Sequence, residues 1–322
     1  MYEVYDKWPY IAKKSFESDQ ESIKFEKIKH VVFAGMGGSG TIGDVFASIL
    51  SKSKIHVNVV KGYVLPKTVN SETLVVITSV SGDSVETRTI LEQAAKMNCK
   101  IIAFFSGGKM LNFCSKNKIE YRIIPQYHSP RASFTSYLYA ILKALHTTLE
   151  VKKEEILESI TELENLSKKI NSSNITEKNP SLDLAEWITG IPIIYFPFGL
   201  QAASTRFKNS LNENAKIHVF EGDVIESCHN GIVAWINDRS IQPILIQGNE
   251  DNIKTKERWE ILKLFFDENE IQYKEIKSIS GNILSKLVNL IYLLDYASIY
   301  HAVEHKIDPS PVEPIDFIKK RL

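Results

Sequence analysis

At 322 residues the chain is about twice as long as a typical domain, so two compact units are the first expectation. Its 39 basic and 39 acidic residues cancel, which excludes a nucleic-acid coat, with its basic excess, and an acidic disordered chain. With 43% apolar and 24% charged residues, it reads as a globular protein with a sizeable core.

The 3 cysteines, Cys99, Cys114 and Cys228, are far apart and form no CxxC pair. An odd, scattered set argues against a disulfide scaffold or a four-thiolate zinc site, and for a reducing cytoplasmic setting. The amino terminus has no basic start followed by an apolar stretch, so no export signal is expected. The longest uncharged stretch, 187–205, contains Pro192, Pro197 and Gly199, as suits a buried strand and turn rather than a membrane helix.

Along the chain, short Val- and Ile-rich runs at 30–34, 55–60, 73–78, 101–105 and 121–124 alternate with longer amphipathic segments. Continuous rather than alternating hydrophobicity is what a strand covered on both faces needs, so the fold class is α/β with a parallel sheet flanked by helices. Phe134, Leu138, Ile141, Leu142 and Leu145 stand at helical spacing and would close this half, residues 1–150. Charged residues dominate from 150 to 169, and Asn171, Ser172, Ser173 and Asn174 then break the pattern, so 151–180 reads as a linker helix and hinge. Residues 181–322 repeat the plan, with strands expected at 191–198, 216–220, 241–246 and 271–276, and helices from 200, over 255–269 and over 282–304.

Two loops carry the chemistry of the first half. After the first strand, Gly35-Met36-Gly37-Gly38-Ser39-Gly40 satisfies G-x-G-x-x-G in a strand–turn–helix context. A dinucleotide site would also place an acid at the end of the second strand, but here Lys61, Gly62 and Tyr63 follow it. A tight turn and a site for another phosphate ligand are the readings left beside it. After the strand at 73–78 comes Ser79-Val80-Ser81-Gly82-Asp83-Ser84-Val85-Glu86-Thr87, whose three hydroxyls beside a glycine can ring a phosphate with neutral donors. Capping of the next helix by Ser84 or Asp83 would account for part of this segment only.

Together these two loops resemble the sugar isomerase (SIS) phosphosugar-binding fold. The resemblance implies that Gly37, Gly38, Ser39, Ser79, Ser81 and Ser84 hold the phosphate of a sugar phosphate. Asp83 stands where that family most often has Asn. In the second half, Arg206 to Lys216 includes Asn212-Glu213-Asn214, and Cys228-His229-Asn230-Gly231 follows. With Ser129-Pro130-Arg131-Ala132 and the tail Asp308-Pro309-Ser310-Pro311-Val312, this resembles the bifunctional phosphoglucose/phosphomannose isomerase family over nearly the whole chain.

That resemblance implies two SIS-type, flavodoxin-like αβα subdomains. It implies a metal-independent interconversion of fructose 6-phosphate with glucose 6-phosphate and mannose 6-phosphate through a cis-enediol. Glu213 would be the C1/C2 base, His229 and Lys319 would open the sugar ring (with Lys320 the fallback for the lysine), and Arg131 would stabilise the enediolate. The family forms a dimer in which the histidine crosses to the partner's site, so a homodimer is expected. No cofactor, metal, nucleic acid or membrane partner is expected.

Each of these side chains also has an ordinary reading: a solvated Glu213, a loop His229, a surface or helix-start Arg131 and a frayed basic end at Lys319. The competing functions are a phosphosugar-binding regulator without catalysis and a different SIS sugar-phosphate isomerase. A regulator often adds a DNA-binding domain, for which residues 1–29 are too few. Cys228 beside His229 invites a thiol-nucleophile reading, but isomerisation needs no covalent intermediate.

Overall fold

The computed structural model describes residues 1–237 and 240–321. The chain divides into two compact units, the first built from Glu3–Thr161 with Val312–Leu322 and the second from Glu162–Pro311.

In the first unit α1 (Tyr2–Asp6) and α2 (Trp8–Phe16) lead into β1 (His30–Ala34), α3 (Gly38–Ile49), β2 (His56–Val60) and β3 (Thr73–Ser79). Then come α4 (Val85–Ala94), β4 (Lys100–Phe105), α5 (Gly108–Asn117), β5 (Glu120–Ile123) and α6 (Phe134–Leu145), before α7 (Lys153–Ile170) carries the chain onward. The five strands are all parallel in the order β2-β1-β3-β4-β5. Every residue of β1 and β3 is buried, as their unbroken apolar runs require of strands covered on both faces, whereas the edge strands β2 and β5 are partly exposed. This order has a switch point between β1 and β3: the chain leaves β1 toward one edge and β3 toward the other. The loops that follow these two strands therefore open side by side at the carboxyl end of the sheet, where Ala34 pairs with Ile77.

The second unit runs α8 (Pro180–Trp187), β6 (Ile191–Phe196), α9 (Gln201–Ser210), a π-helical turn over Leu211–Ala215, β7 (Phe220–Asp223) and α10 (Val224–Ser227). A 3₁₀ turn over Gly231–Ile236, β8 (Ile241–Gln247), α11 (Ile253–Glu268), β9 (Lys274–Lys277) and α12 (Ile283–Glu304) follow, and α13 (Glu313–Lys319) lies in the segment grouped with the first unit. Its four parallel strands are ordered β7-β6-β8-β9. Two αβα units with parallel sheets are thus present.

Three strands differ from the sequence reading by more than one residue at an edge. The segment expected as a strand at 216–220 begins with Lys216 at φ 60, a left-handed residue that closes the π turn and cannot start an extended run, so β7 begins at Phe220. The strand expected from 271 begins at Lys274, because Glu270 at φ 56 ends α11 and the Ile271 amide still donates back to Phe266 O. β6 stops at Phe196, where Pro197 O accepts from Leu200 N in a turn and Gly199 takes φ 92. Among the described residues one helix, α12, is long and apolar enough to cross a membrane; 89% of its apolar window is buried, as in a core helix.

Candidate functional site

The glycine loop after β1 is tight because of its close backbone approaches. A Cβ on Gly35 would lie 2.9 Å from the Ser39 carbonyl group, and one on Gly40 would lie 2.9 Å from Gly35 O. Gly37 precedes α3 at φ 53, and no side chain caps that helix. Ser39 is buried in the first turn, and its amide bonds Met36 O at 3.0 Å. The helix start thus carries its dipole and its leading amides toward the carboxyl end of the sheet, with no acidic or hydroxyl side chain set against them.

In the loop after β3 the hydroxyls are joined. Ser79 Oγ donates to Ser84 Oγ at 3.1 Å and accepts from Gly82 N at 3.2 Å, while exposed Ser81 accepts from Asp83 N at 3.2 Å. Ser84 occupies the cap position of α4 but makes no side-chain capping bond. Asp83 turns the other way, and its Oδ1 accepts from Lys109 N at 2.9 Å in the first turn of α5. Its charge therefore faces a helix amino end, where an acid is favourable, rather than the serines. Neither candidate cap does what the capping reading asked of it for α4.

One pair of residues that the sequence reading passed over braces this loop. Gly82 stands at φ 72, and a Cβ there would meet Gly107 O at 1.8 Å; a Cβ on Gly108 would meet Ser81 O at 2.6 Å. The loops after β3 and β4 are thus interlocked backbone to backbone. The signal was the adjacent pair Gly107-Gly108 one residue beyond a strand, at φ 159 and φ 73.

Arg131 is 4% exposed, which rules out the surface reading. Its segment is a tight turn: Ser133 N bonds Ser129 O at 3.1 Å, Ser133 Oγ bonds Ser129 O at 2.9 Å, and Trp8 Nε1 holds Ala132 O at 2.9 Å. One turn into α6, Tyr137 Oη donates to Val80 O at 3.3 Å, between Ser79 and Ser81. The arginine turn is therefore built onto the second serine loop.

Glu213 lies in the π turn, half-buried. Asn214 is buried and donates to Ser298 Oγ at 2.8 Å, and Asn212 donates to Ile217 O at 2.7 Å. Lys216 Nζ donates to Glu213 O and also to Pro311 O at 2.8 Å. Single π turns are frequent at functional sites. His229 is exposed just after α10, whose cap is Asp223. Asn230 Nδ2 reaches Glu226 Oε1 at 2.7 Å. Lys319 and Lys320 are both exposed at the end of α13. Burial raises the Cys228 thiol above its ordinary range, with Arg258 opposing, so the thiolate that a nucleophile requires is disfavoured.

Comparison with known proteins places these features. Residues 24–151 match the SIS domain, and residues 177–322 match the bacterial phospho-glucose isomerase C-terminal SIS domain. A bifunctional phosphoglucose/phosphomannose isomerase of Caldicellulosiruptor bescii is 32% identical over 100% of this chain and 98% of its own. The chain belongs to that isomerase family. Its relative in Aquifex aeolicus, of the same name, is 28% identical over 95% of this chain and 94% of its own. Among solved structures, the C-terminal domain of a glucosamine-fructose-6-phosphate aminotransferase from Francisella tularensis superposes with TM-score 0.72 at 16% identity, covering 96% of this chain and 98% of that one, and shares the fold.

As a member of this family the chain is an isomerase, and its candidate residues divide between the two matched regions. Gly37, Gly38, Ser39, Ser79, Ser81, Ser84 and Arg131 fall in the amino-terminal SIS domain, and Glu213, His229 and Lys319 in the carboxy-terminal one. Among the described residues no group of three or more His, Cys, Asp and Glu could hold a metal ion.

Proposed function

We propose that this isomerase interconverts fructose 6-phosphate with glucose 6-phosphate and mannose 6-phosphate, without a metal or redox cofactor. The observation that carries the reading is the pair of Gly/Ser loops at the β1–β3 switch point. There two helices start with no side-chain cap, in a chain of this family. Hydroxyls and backbone amides bind a phosphate dianion without formal charge, which reconciles an anionic substrate with a protein of net charge +0.

In the proposed reaction, His229 and Lys319 move the proton from the anomeric hydroxyl to the ring oxygen as the sugar opens. Lys320 is the alternative lysine. Glu213 takes the C2 proton of the aldose, and the released electron pair forms the cis-enediolate, whose negative charge the Arg131 guanidinium offsets. The O2 proton passes to O1, and Glu213 returns its proton to C1 as the carbonyl forms at C2. In the reverse direction, delivery to one face of C2 gives the glucose configuration and to the other the mannose configuration. Positioned acid–base groups of this kind supply about 10²–10⁴ each in rate.

A homodimer in which His229 serves the partner's site is part of the proposal, supported by its exposure beside Val233 and Ile236, which are 62% and 70% exposed. A cytoplasmic location belongs to it as well. The test couples purified protein and fructose 6-phosphate to glucose-6-phosphate dehydrogenase with EDTA present. NADPH formation is expected. Its absence from folded protein would favour a binding-only regulator, and loss of activity on chelation would remove the metal-free route. Mannose 6-phosphate with added phosphoglucose isomerase tests the second activity.

A further inference from the structure

Asp295 is 0% exposed, in the middle of the apolar helix α12. A buried carboxylate is expensive unless its oxygens are filled, and here they are. Arg206 Nη2 donates to Oδ2 at 2.6 Å and Nε to both oxygens at 3.1 Å, while Ser210 Oγ donates to Oδ1 at 2.6 Å. One turn on, Ser298 Oγ donates to the Asp295 carbonyl at 2.6 Å and accepts from Asn214 Nδ2 at 2.8 Å.

These partners are not scattered. Ser210 is the residue before the π turn, and Asn214 its fourth residue, so the network grips both sides of Glu213. A π turn breaks the regular bonding of an α-helix and persists where the surroundings hold it. Released, the turn would relax toward α-helix and rotate the Glu213 carboxylate. A replacement of the pair by apolar side chains commonly costs little stability, so a stability role alone leaves the choice of ions unexplained.

We propose that Asp295 is a positioning residue for Glu213, acting through Arg206, Ser210 and the Asp295–Ser298–Asn214 chain to fix the π turn. The proposal rests on the reading of Glu213 as the proton-transferring base, and the experiment separates the two.

Two variants are compared with wild type: the double variant Arg206→Met/Asp295→Leu, which replaces the pair by apolar groups of similar volume, and Ser210→Ala, which keeps the ion pair and so keeps the fold. Each is read by kcat and KM for fructose 6-phosphate, the pH profile of kcat/KM and the melting midpoint. The expected result for the double variant is a near-wild-type midpoint and KM within a few-fold, with kcat down about 10²-fold, the scale of an ångström-sized misplacement. Ser210→Ala should lower kcat about tenfold, the equivalent of one hydrogen bond. In both variants the acidic limb of the pH profile should move, which a purely structural defect would not cause. A wild-type kcat and pH profile in either variant overturns the proposal. Glu213→Gln run alongside distinguishes the failures. If it alone is inactive, positioning falls while the base reading stands; if it stays active, the base reading falls and takes the positioning with it.

Discussion

Both units end their central strands at a switch point, yet they fill it to different extents. In the first, α3 and α4 begin without a side-chain cap, and the flanking loops are glycine and serine. In the second, the β8 side of the β6–β8 switch point is filled by the protein's own side chains: Asp251 accepts from Gly248 N at 2.9 Å and from Trp259 Nε1 at 3.2 Å, and Asn252 caps α11. Asn179, Asp223 and Asn282 likewise cap α8, α10 and α12. Only α9, which starts after Gly199, departs from this pattern among the second unit's described helices. A helix start already occupied by a carboxylate or carboxamide cannot take a phosphate; one left open can. The same strand order thus leaves two helix starts open beside glycine and serine loops in one unit and only one, that of α9, in the other, whose candidate acid–base groups lie on the π turn and after α10.

The comparison is broken most severely at Glu213. Glu213→Gln should lower kcat about 10²–10⁴-fold, and wild-type turnover would remove the base from the second unit. Next comes the brace of the first unit's cradle. In Gly82→Ala a Cβ meets Gly107 O at 1.8 Å on a φ of 72, so the unfolding free energy should fall by at least about 1–3 kcal/mol, read by urea denaturation. An unchanged midpoint would mean that the two loops are not interlocked.

Ser79→Ala should raise KM for the sugar phosphate about tenfold, the loss of one hydrogen bond to a charged group, while kcat at saturation changes little. The smallest effect is expected at Cys228. Because burial raises its thiol, the group stays protonated near neutral pH and gains thiolate only at higher pH than a free cysteine. Cys228→Ser should keep wild-type kcat, and iodoacetamide should label Cys228 more slowly at pH 8 than free cysteine; faster labelling would revive a thiol role.

What could be read from the chain and what could not follow from the range of the interactions. Strands such as 73–79 announce themselves because both faces are covered, and the hydroxyl spacing of Ser79, Ser81 and Ser84 is a local pattern. The orientation of Asp83 depends on an amide 26 residues away, and the interlock of Gly82 with Gly107 on a second loop, so neither has a local signature. Arg206 and Asp295 lie 89 residues apart and look in sequence like ordinary charges. The residues that contact the π turn are thus as remote in sequence as Asp295 and Ser298, and the left-handed Lys216 that closes it is why the expected strand at 216–220 starts late.

The division of labour between the units is tested most directly by measuring binding and turnover in the same two variants. Calorimetric titration with fructose 6-phosphate and the coupled assay would be run on Ser79→Ala and Glu213→Gln. The account predicts that Ser79→Ala binds weakly but turns over at saturation, and that Glu213→Gln binds as wild type does but does not turn over. Weak binding in Glu213→Gln together with intact affinity in Ser79→Ala would contradict it.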